Sequence, residues 1–353
     1  MTAVADPPGS PWSADEVSAH LLDVGRDIRR HMLDALPQNP PHAWLYRVAR
    51  EYPSRPGKAI RPALCLAACE AVGGDPARAH PVAVTIELFH NAFLAHDDIV
   101  DGSEQRRGRP TLPQLFGAGL ALNAGDALAV VANQELRRRV ARLPSAIAEQ
   151  VLVEFDTMAL RTLEGQATEL GWREDDVVET TPDDYLDLIL RKTCWYTTIL
   201  PLRVGALIGS DGRADLRALF RFGFHLGAAF QIRDDVLNLV GDEREYGKEI
   251  NGDLWEGKRT LAMIHLCEQA QGRDAVLVRD HLRRSREERT EEMVVAVRGL
   301  MDDYGSIDYA QAFADGIAEA ASSTFAEAFG ACPDGPALRF LAALIPYMVD
   351  RRR

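Results

Sequence analysis

Along most of the chain, apolar positions recur every three or four residues, the spacing of one buried face on an α-helix. Ser13-Ala-Asp-Glu16 has the form of a capping box. Val17, Leu21, Leu22, Val24, Ile28 and Met32 continue the pattern from there to about Leu36. The stretch PQNPPH ends that helix, a short one spans Trp44 to Glu51, and the next runs from Ala63 to Val72, stopping at Gly-Gly-Asp-Pro. Helices are expected from Ala77 to Asp101, Leu120 to Val140 and Ser145 to Leu170, the last followed by an acidic loop, GWREDDVVETT. Thr181-Pro182-Asp183-Asp184 starts another, with a capping Thr, Pro in the first turn and acids behind it. The remaining periodic runs are Ala214 to Asp242, Lys258 to Gln271, Arg286 to Tyr304, Ser306 to Phe329 and Pro336 to Arg352. Strand-like alternation is nearly absent. The pattern predicts an all-α fold: a large single-domain helical bundle around a central cavity over residues 13–353, behind a disordered lead of residues 1–12.

The 353 residues, 46% of them apolar, can bury a large core. A formal net charge of -13 argues against a general nucleic-acid surface, so no nucleic-acid partner is expected. Any polyanionic ligand must then be held by local bases and metal ions. Cys65, Cys69, Cys194, Cys267 and Cys332 show no paired metal-site spacing, and Cys65 and Cys69 fall four apart on an apolar stripe, as core residues do. No segment reaches the length of a membrane span, and MTAVADPPGSPWS lacks the basic and apolar parts of a secretion signal. A cytoplasmic protein with no integral membrane segment is expected.

One stretch resists explanation by folding alone. IELFHNAFLAHDDIVDGSEQRRGRPT, from Ile86 to Thr111, is an apolar helix that ends in acid and is followed by two adjacent arginines. Asp97 and Asp101 lie about 40° apart around the helix, with Asp98 about 100° from Asp97. Like charges four apart cost a few tenths of a kcal/mol, roughly, and a helix C-terminus already disfavours anions. Divalent cations reverse that penalty, and carboxylates with phosphate oxygens are the ligands Mg²⁺ prefers. A second acidic helix follows at Gln231-Ile-Arg-Asp234-Asp235-Val-Leu-Asn238, ahead of the Lys-bearing loop GDEREYGKEINGDLWEGKRT.

The pair resembles the two aspartate-rich motifs of the trans-isoprenyl diphosphate synthases, the polyprenyl synthetase family. The likeness extends through Gly57-Lys58-x-x-Arg61-Pro62, His90, Arg106-Arg107-Gly108, Gly165-Gln166, Lys192-Thr193, Gly247-Lys248 and Glu256-Gly257-Lys258, in family order. It implies Mg²⁺-dependent condensation of isopentenyl diphosphate with an allylic diphosphate, three Mg²⁺ ions and a homodimer. On this resemblance Asp97, Asp101 and Asp234 are metal ligands, with Asp98 and Asp235 either as further ligands or as acids supporting them. Arg106, Lys192, Lys258 and Lys248 hold the allylic diphosphate, and Lys58, Arg61, His90 and Arg107 hold isopentenyl diphosphate. Dipoles of Lys192, Thr193 and Gln231 face the carbocation, and Gln166 and Glu169 resemble a further position facing the metals. Two departures stand out: Asn238 where the second motif usually ends in aspartate, and Ala59 where the early motif usually has arginine.

A class I terpene cyclase also uses acidic motifs and Mg²⁺, but it has one diphosphate to hold and no need for the second set of bases. A di-metal protein of the ferritin type would need two Glu-x-x-His motifs, and only Glu87-x-x-His90 is found. A non-catalytic subunit of a heteromeric synthase would be expected to lose first-motif aspartates, and all three are present. Phe93 and Phe89 lie one and two turns before Asp97, where a growing tail would descend, and Ala92 is small where the shortest-chain members often carry an aromatic. With the Pro-Gly-Lys-x-x-Arg form and Asn238, this resembles the geranylgeranyl branch. A C20 product is expected, with the C15 farnesyl product as the alternative.

Overall fold

The computed structural model describes residues 12–241 and 250–349 of the chain. Helix α1 (Ala14–Ala35) starts on the capping box: the Glu16 amide donates to Ser13 Oγ, and the Ser13 amide donates to the Glu16 carboxylate. After three short helical turns between residues 42 and 54 come α2 (Ile60–Ala71) and α3 (Pro76–Val100), which Asp75 caps through the Ala77 amide. Then follow α4 (Ala118–Val140), α5 (Ser145–Glu174) and α6 (Pro182–Ile189), with the box between Thr181 and Asp184 in place. A π-helical segment, Leu190–Ile199, runs straight from α6 into α7 (Leu200–Gly209). Helix α8 (Leu216–Val240) carries the second acidic motif. The chain closes with α9 (Leu261–Gln269), α10 (Gly272–Arg283), α11 (Glu291–Asp303), α12 (Ser306–Phe329) and α13 (Pro336–Val349). Among the described residues no helix is long and apolar enough to cross a membrane.

The two acidic helices sit centrally. Helix α3 packs between α2 and α4, and α8 packs against α12 and the π-helical segment. One core surrounds Ile86, Leu88, Leu128 and Phe155; a second lies where Phe340, Leu341, Leu344 and Met348 of α13 meet Leu64 and Ala68 of α2 and Phe222 and Leu226 of α8. Each such side chain contributes roughly 1.5–3 kcal/mol by leaving water, enough to fix the helices against the cost of bringing acids together.

Three stretches differ from the pattern reading. Helix α5 continues to Glu174 through what reads as loop, because Arg173 in its last turn finds Asp101 Oδ1 at 3.2 Å. Helix α10 is unforeseen; its buried side is only Val278, His281 and Leu282, too short a stripe to stand out among charged neighbours. Helix α11 begins at Glu291 behind a Thr290 cap, and residues 286–288 form a separate 3₁₀ turn. The strands present, Gln105–Arg106 and Arg109–Pro110, form one hairpin.

Candidate active site

Helix α3 sends its aspartates in two directions. Asp97 and Asp101 line the cavities between α3 and α8. Asp98 turns inward and is fully buried: Arg106 Nε donates to its oxygens at 2.9 and 2.8 Å, Arg106 Nη2 donates at 2.6 Å, and the Tyr52 hydroxyl donates to Oδ2. Both Asp98 oxygens are thus engaged by Arg106 and Tyr52, and Asp98 lines neither of the cavities that Asp97 and Asp101 reach. Breaking such a buried pair on one side costs about 3–5 kcal/mol. Arg106, expected at the allylic diphosphate, therefore turns two of its three nitrogens, Nε and Nη2, to Asp98, with Nη2 also 3.8 Å from Asp97. The hairpin explains its aim. Arg107 and Gly108 form a two-residue loop with φ of 54° and 67°, the conformation that favours Gly in the second position. That turn directs Arg106 inward and lets Arg107 Nη1 donate to the Arg55 carbonyl at 3.3 Å.

Helix α8 supplies Asp234 and Asp235. Asp235 accepts from the Tyr185 hydroxyl and from Gln231 Nε2, each at 2.7 Å, and burial, reinforced by Asp253, pushes its carboxyl up to about 8. One turn on, Asn238 builds a loop: its Oδ1 accepts the Asp253 amide at 3.0 Å and its carbonyl accepts the Asn251 amide at 2.8 Å. The loop carries Asp253, Glu256 and Lys258 to the acidic cluster. Lys258 Nζ lies 2.5 Å from Glu256, 3.3 Å from Asp253 and 3.5 Å from Asp101. Burial pushes the Glu256 carboxyl up to about 7 against the opposing pull of Lys258.

Lys192 and Thr193 stand in the π-helical segment, where the Leu200 amide reaches back to the Trp195 carbonyl. Such widened turns recur at functional sites because they re-aim side chains that a regular helix would bury. Here Lys192, Thr193 and Tyr196 all face the cavity between the acidic helices. Helix α5 comes so close that a Cβ at Gly165 would lie 2.4 Å from the Lys192 amide nitrogen. Lys192 bonds Glu169 and sits 3.5 Å from Asp97. Burial alone would raise the Glu169 carboxyl, but Lys192 and Lys258 outweigh it and hold it below its ordinary value.

Two adjoining cavities result. One, of about 460 Å³, is lined by Lys58, Arg61, His90 and Arg107, with Glu87 at its base. The other, of about 220 Å³, holds Asp97, Asp234, Asp235, Lys192, Thr193, Gln231 and Lys258. Arg61, His90, Arg106 and Asp234 belong to both. Beneath Asp97 a narrow pocket of about 90 Å³ is bounded by Phe93, Thr162, Leu163, Gln166 and Tyr196. Phe89 sits below Phe93, ring centroids 6.3 Å apart, and against Phe155 at 5.8 Å. Ala92 is buried in the core and lines none of these cavities. Lys248 lies outside the described residues. Sequence reasoning missed Tyr52, Tyr185, Arg173 and Asp253. The tyrosines carry no signal, being lone residues some 46 and 50 positions from the acids they bind, but Asp253 could have been flagged as a further acid in the loop that carries Glu256 and Lys258.

Residues 42–299 match the family model described as Polyprenyl synthetase. The chain belongs to the polyprenyl synthetase family. It is an isoprenyl diphosphate synthase, a prenyltransferase. A short chain isoprenyl diphosphate synthase of Methanothermobacter thermautotrophicus is 34% identical over 287 residues, 81% of this chain and 84% of that one. The crystal structure of a geranylgeranyl pyrophosphate synthetase from Pyrococcus horikoshii superposes with a TM-score of 0.83 at 34% identity, covering 96% of this chain and 99% of the other. A polyprenyl synthase from Caulobacter crescentus, crystallised with calcium and isoprenyl diphosphate, superposes with a TM-score of 0.85 at 25% identity, covering 98% and 100%. The acids of this synthase fit a hard divalent cation: every donor is oxygen, and burial, with neighbouring acids adding to it, raises the Asp235 and Glu256 carboxyls, a shift that a bound cation opposes.

Proposed function

We propose that this synthase joins isopentenyl diphosphate to an allylic diphosphate and makes the C20 geranylgeranyl product. The observation that carries the reading is the pair of adjoining cavities, one basic and one acidic. Asp97, Asp101 and Asp234, with Asp235, would hold three Mg²⁺ ions, which supply charge neutralisation for a departing diphosphate when bound. Lys192 and Lys258 orient the allylic diphosphate, and Lys58, Arg61, His90 and Arg107 hold isopentenyl diphosphate so that its double bond faces the allylic carbon. The allylic C–O bond breaks with its electron pair on diphosphate. Thr193 and Gln231 turn their oxygens toward the cation, while Phe93 and Tyr196 exclude water. The isopentenyl double bond attacks, forming the new C–C bond, and the proton then lost passes to the released diphosphate.

The C20 length rests on the Phe93 and Phe89 rings below Asp97 and on the likeness to a geranylgeranyl pyrophosphate synthetase. A homodimer also belongs to this reading, supported by Leu122 and Val130 on α4 and Val153, Leu160 and Leu163 on α5, apolar side chains exposed by 51 to 58%. One domain over residues 13–353 fits as well, because α13 packs on both α2 and α8. A cytoplasmic setting accords with five cysteines kept as thiols. The test is an assay with Mg²⁺, isopentenyl diphosphate and farnesyl diphosphate, followed by chromatography of dephosphorylated products. A C20 product is expected, with turnover abolished by chelator and lowered about a hundredfold or more in Asp97→Ala and Asp234→Ala; Phe93→Ala should lengthen the products. Turnover near normal in both aspartate variants would end the metal reading, and a wild-type product of C15 or of C30 and longer would end the C20 assignment.

A further inference from the structure

Away from the active site, α1 and α3 bring two histidines to one carboxylate. Asp27 and His31 lie four apart on α1, and His80 comes from the first turns of α3. His80 Nε2 is 2.6 Å from Asp27 Oδ2, and His31 Nδ1 is 3.5 Å from the same oxygen. The imidazole rings meet edge to face with centroids 4.7 Å apart. One ligand atom from each of the three residues lies within 4.8 Å of the other two. We infer that Asp27, His31 and His80 form a binding site for a borderline divalent transition-metal ion, Zn²⁺ in the first instance.

The donor chemistry selects the class. Two imidazole nitrogens and one carboxylate oxygen, with water in the fourth position, make a tetrahedral zinc set, whereas Mg²⁺ and Ca²⁺ prefer oxygen alone. Bonds of about 2.1 Å in a tetrahedron separate ligand atoms by roughly 3.4 Å. The His31 to Asp27 spacing meets that, and the His80 contact, now a hydrogen bond, opens by less than about 1 Å to do so. His80 is hydrogen-bonded to this oxygen, and His31 Nδ1, held against the main-chain carbonyl of Asp27, also approaches the same oxygen. In the metal-bound form His31 Nδ1 exchanges its 3.0 Å contact with the Asp27 carbonyl for the ion. Arg30, paired with the other Asp27 oxygen, is an exposed side chain with room to swing away. Access is open: the His31, Asp27 and His80 side chains are 40%, 39% and 24% exposed. The site is also remote from the catalytic acids. Seventeen residues of α3 separate His80 from Asp97, about 26 Å along the helix. The bound ion cross-links α1 to α3 and so stabilises the folded chain by mass action.

The experiment uses the full chain, stripped with chelator and held in excess Mg²⁺, titrated with Zn²⁺ by calorimetry and followed by thermal unfolding. One Zn²⁺ per chain is expected, with a rise in Tm, and both persist in Asp97→Asn and Asp234→Asn. His80→Gln and His31→Gln should weaken binding by about tenfold or more and remove the Tm rise. Because all three side chains are partly exposed, the variants fold, as circular dichroism without Zn²⁺ verifies. Wild-type affinity in both histidine variants, absence of Zn²⁺ binding by the wild type, or binding that disappears in Asp97→Asn would each overturn the assignment.

Discussion

Arg61 and Lys192 bring the same charge to neighbouring cavities in different surroundings. The Arg61 guanidinium stacks 4.5 Å above the Tyr196 ring, and its Nη2 donates to Thr197 Oγ1 at 2.9 Å, leaving it aimed at the basic cavity. Lys192 is held between Glu169 and Asp97 at the acidic one. Arg61→Ala should therefore raise KM for isopentenyl diphosphate about tenfold or more while changing KM for the allylic substrate little, and Lys192→Ala should do the reverse. Equal effects on both substrates in steady-state assays would mean that the two sites are interchanged. His281 shows a different consequence of burial. Its Nε2 donates to the Leu254 carbonyl at 3.1 Å, and burial, with Arg289 beside it, pulls its pKa down to about 4. In the unfolded chain the imidazole titrates near about 6.5, so between those values the unfolded state binds a proton that the folded state refuses. Its contribution is complete above that window and is lost as pH falls through it, about 3 kcal/mol over the full range. Urea midpoints measured near neutral pH and near pH 5 should drop less in His281→Gln than in the wild type; an identical drop would exclude this origin.

At the scale of elements, the acidic cavity depends on how closely α5 approaches the π-helical segment. The contact at Gly165 leaves no room for a methyl group between the α5 backbone and the Lys192 backbone. Gly165→Ala forces the two apart, at a cost of about 1–3 kcal/mol, and moves Lys192 away from Asp97. We expect a folded protein whose kcat falls about tenfold or more, since small displacements of a positioning group are costly. A variant with wild-type kcat and a melting temperature unchanged from wild type would show that the segment tolerates the shift. The loop after α8 is built on the same logic. Asn238 accepts two of its amides, through Oδ1 and its main-chain carbonyl, and thereby sets Asp253, Glu256 and Lys258, acceptors that an aspartate would equally provide.

For the whole molecule, the proposed dimer makes a prediction that activity alone would not reveal. Leu160 and Leu163 project from α5, and Leu122 and Val130 from α4, each more than half exposed among the described residues. Leu160→Glu combined with Leu163→Glu should convert a dimer of about twice 38.9 kDa into a monomer, as read by light scattering during gel filtration. A wild-type protein that is already monomeric at working concentrations would exclude the interface.

What could be read directly from the chain was whatever depends on local spacing. Helix periodicity, the caps at Ser13 and Thr181, and the two acidic clusters with their neighbouring bases are patterns within a few turns, and the resemblance of those motifs led to the family. The ends of α5 and α11 and the existence of α10 were not legible, because a tertiary contact such as Arg173 with Asp101, or a short buried stripe, decided them. Roles within the acidic cluster were not legible either. Asp97 and Asp98 are adjacent and chemically identical, and only packing turns one toward the cavity and the other toward Tyr52 and Arg106. Ala92 lies away from the cavities beside Asp97 for the same reason: a step along a helix is a rotation, and which rotation faces a cavity depends on the helices packed around it. The convergence of Asp27 and His31 with His80 likewise has no trace in sequence spacing, since it exists only because α1 lies against α3.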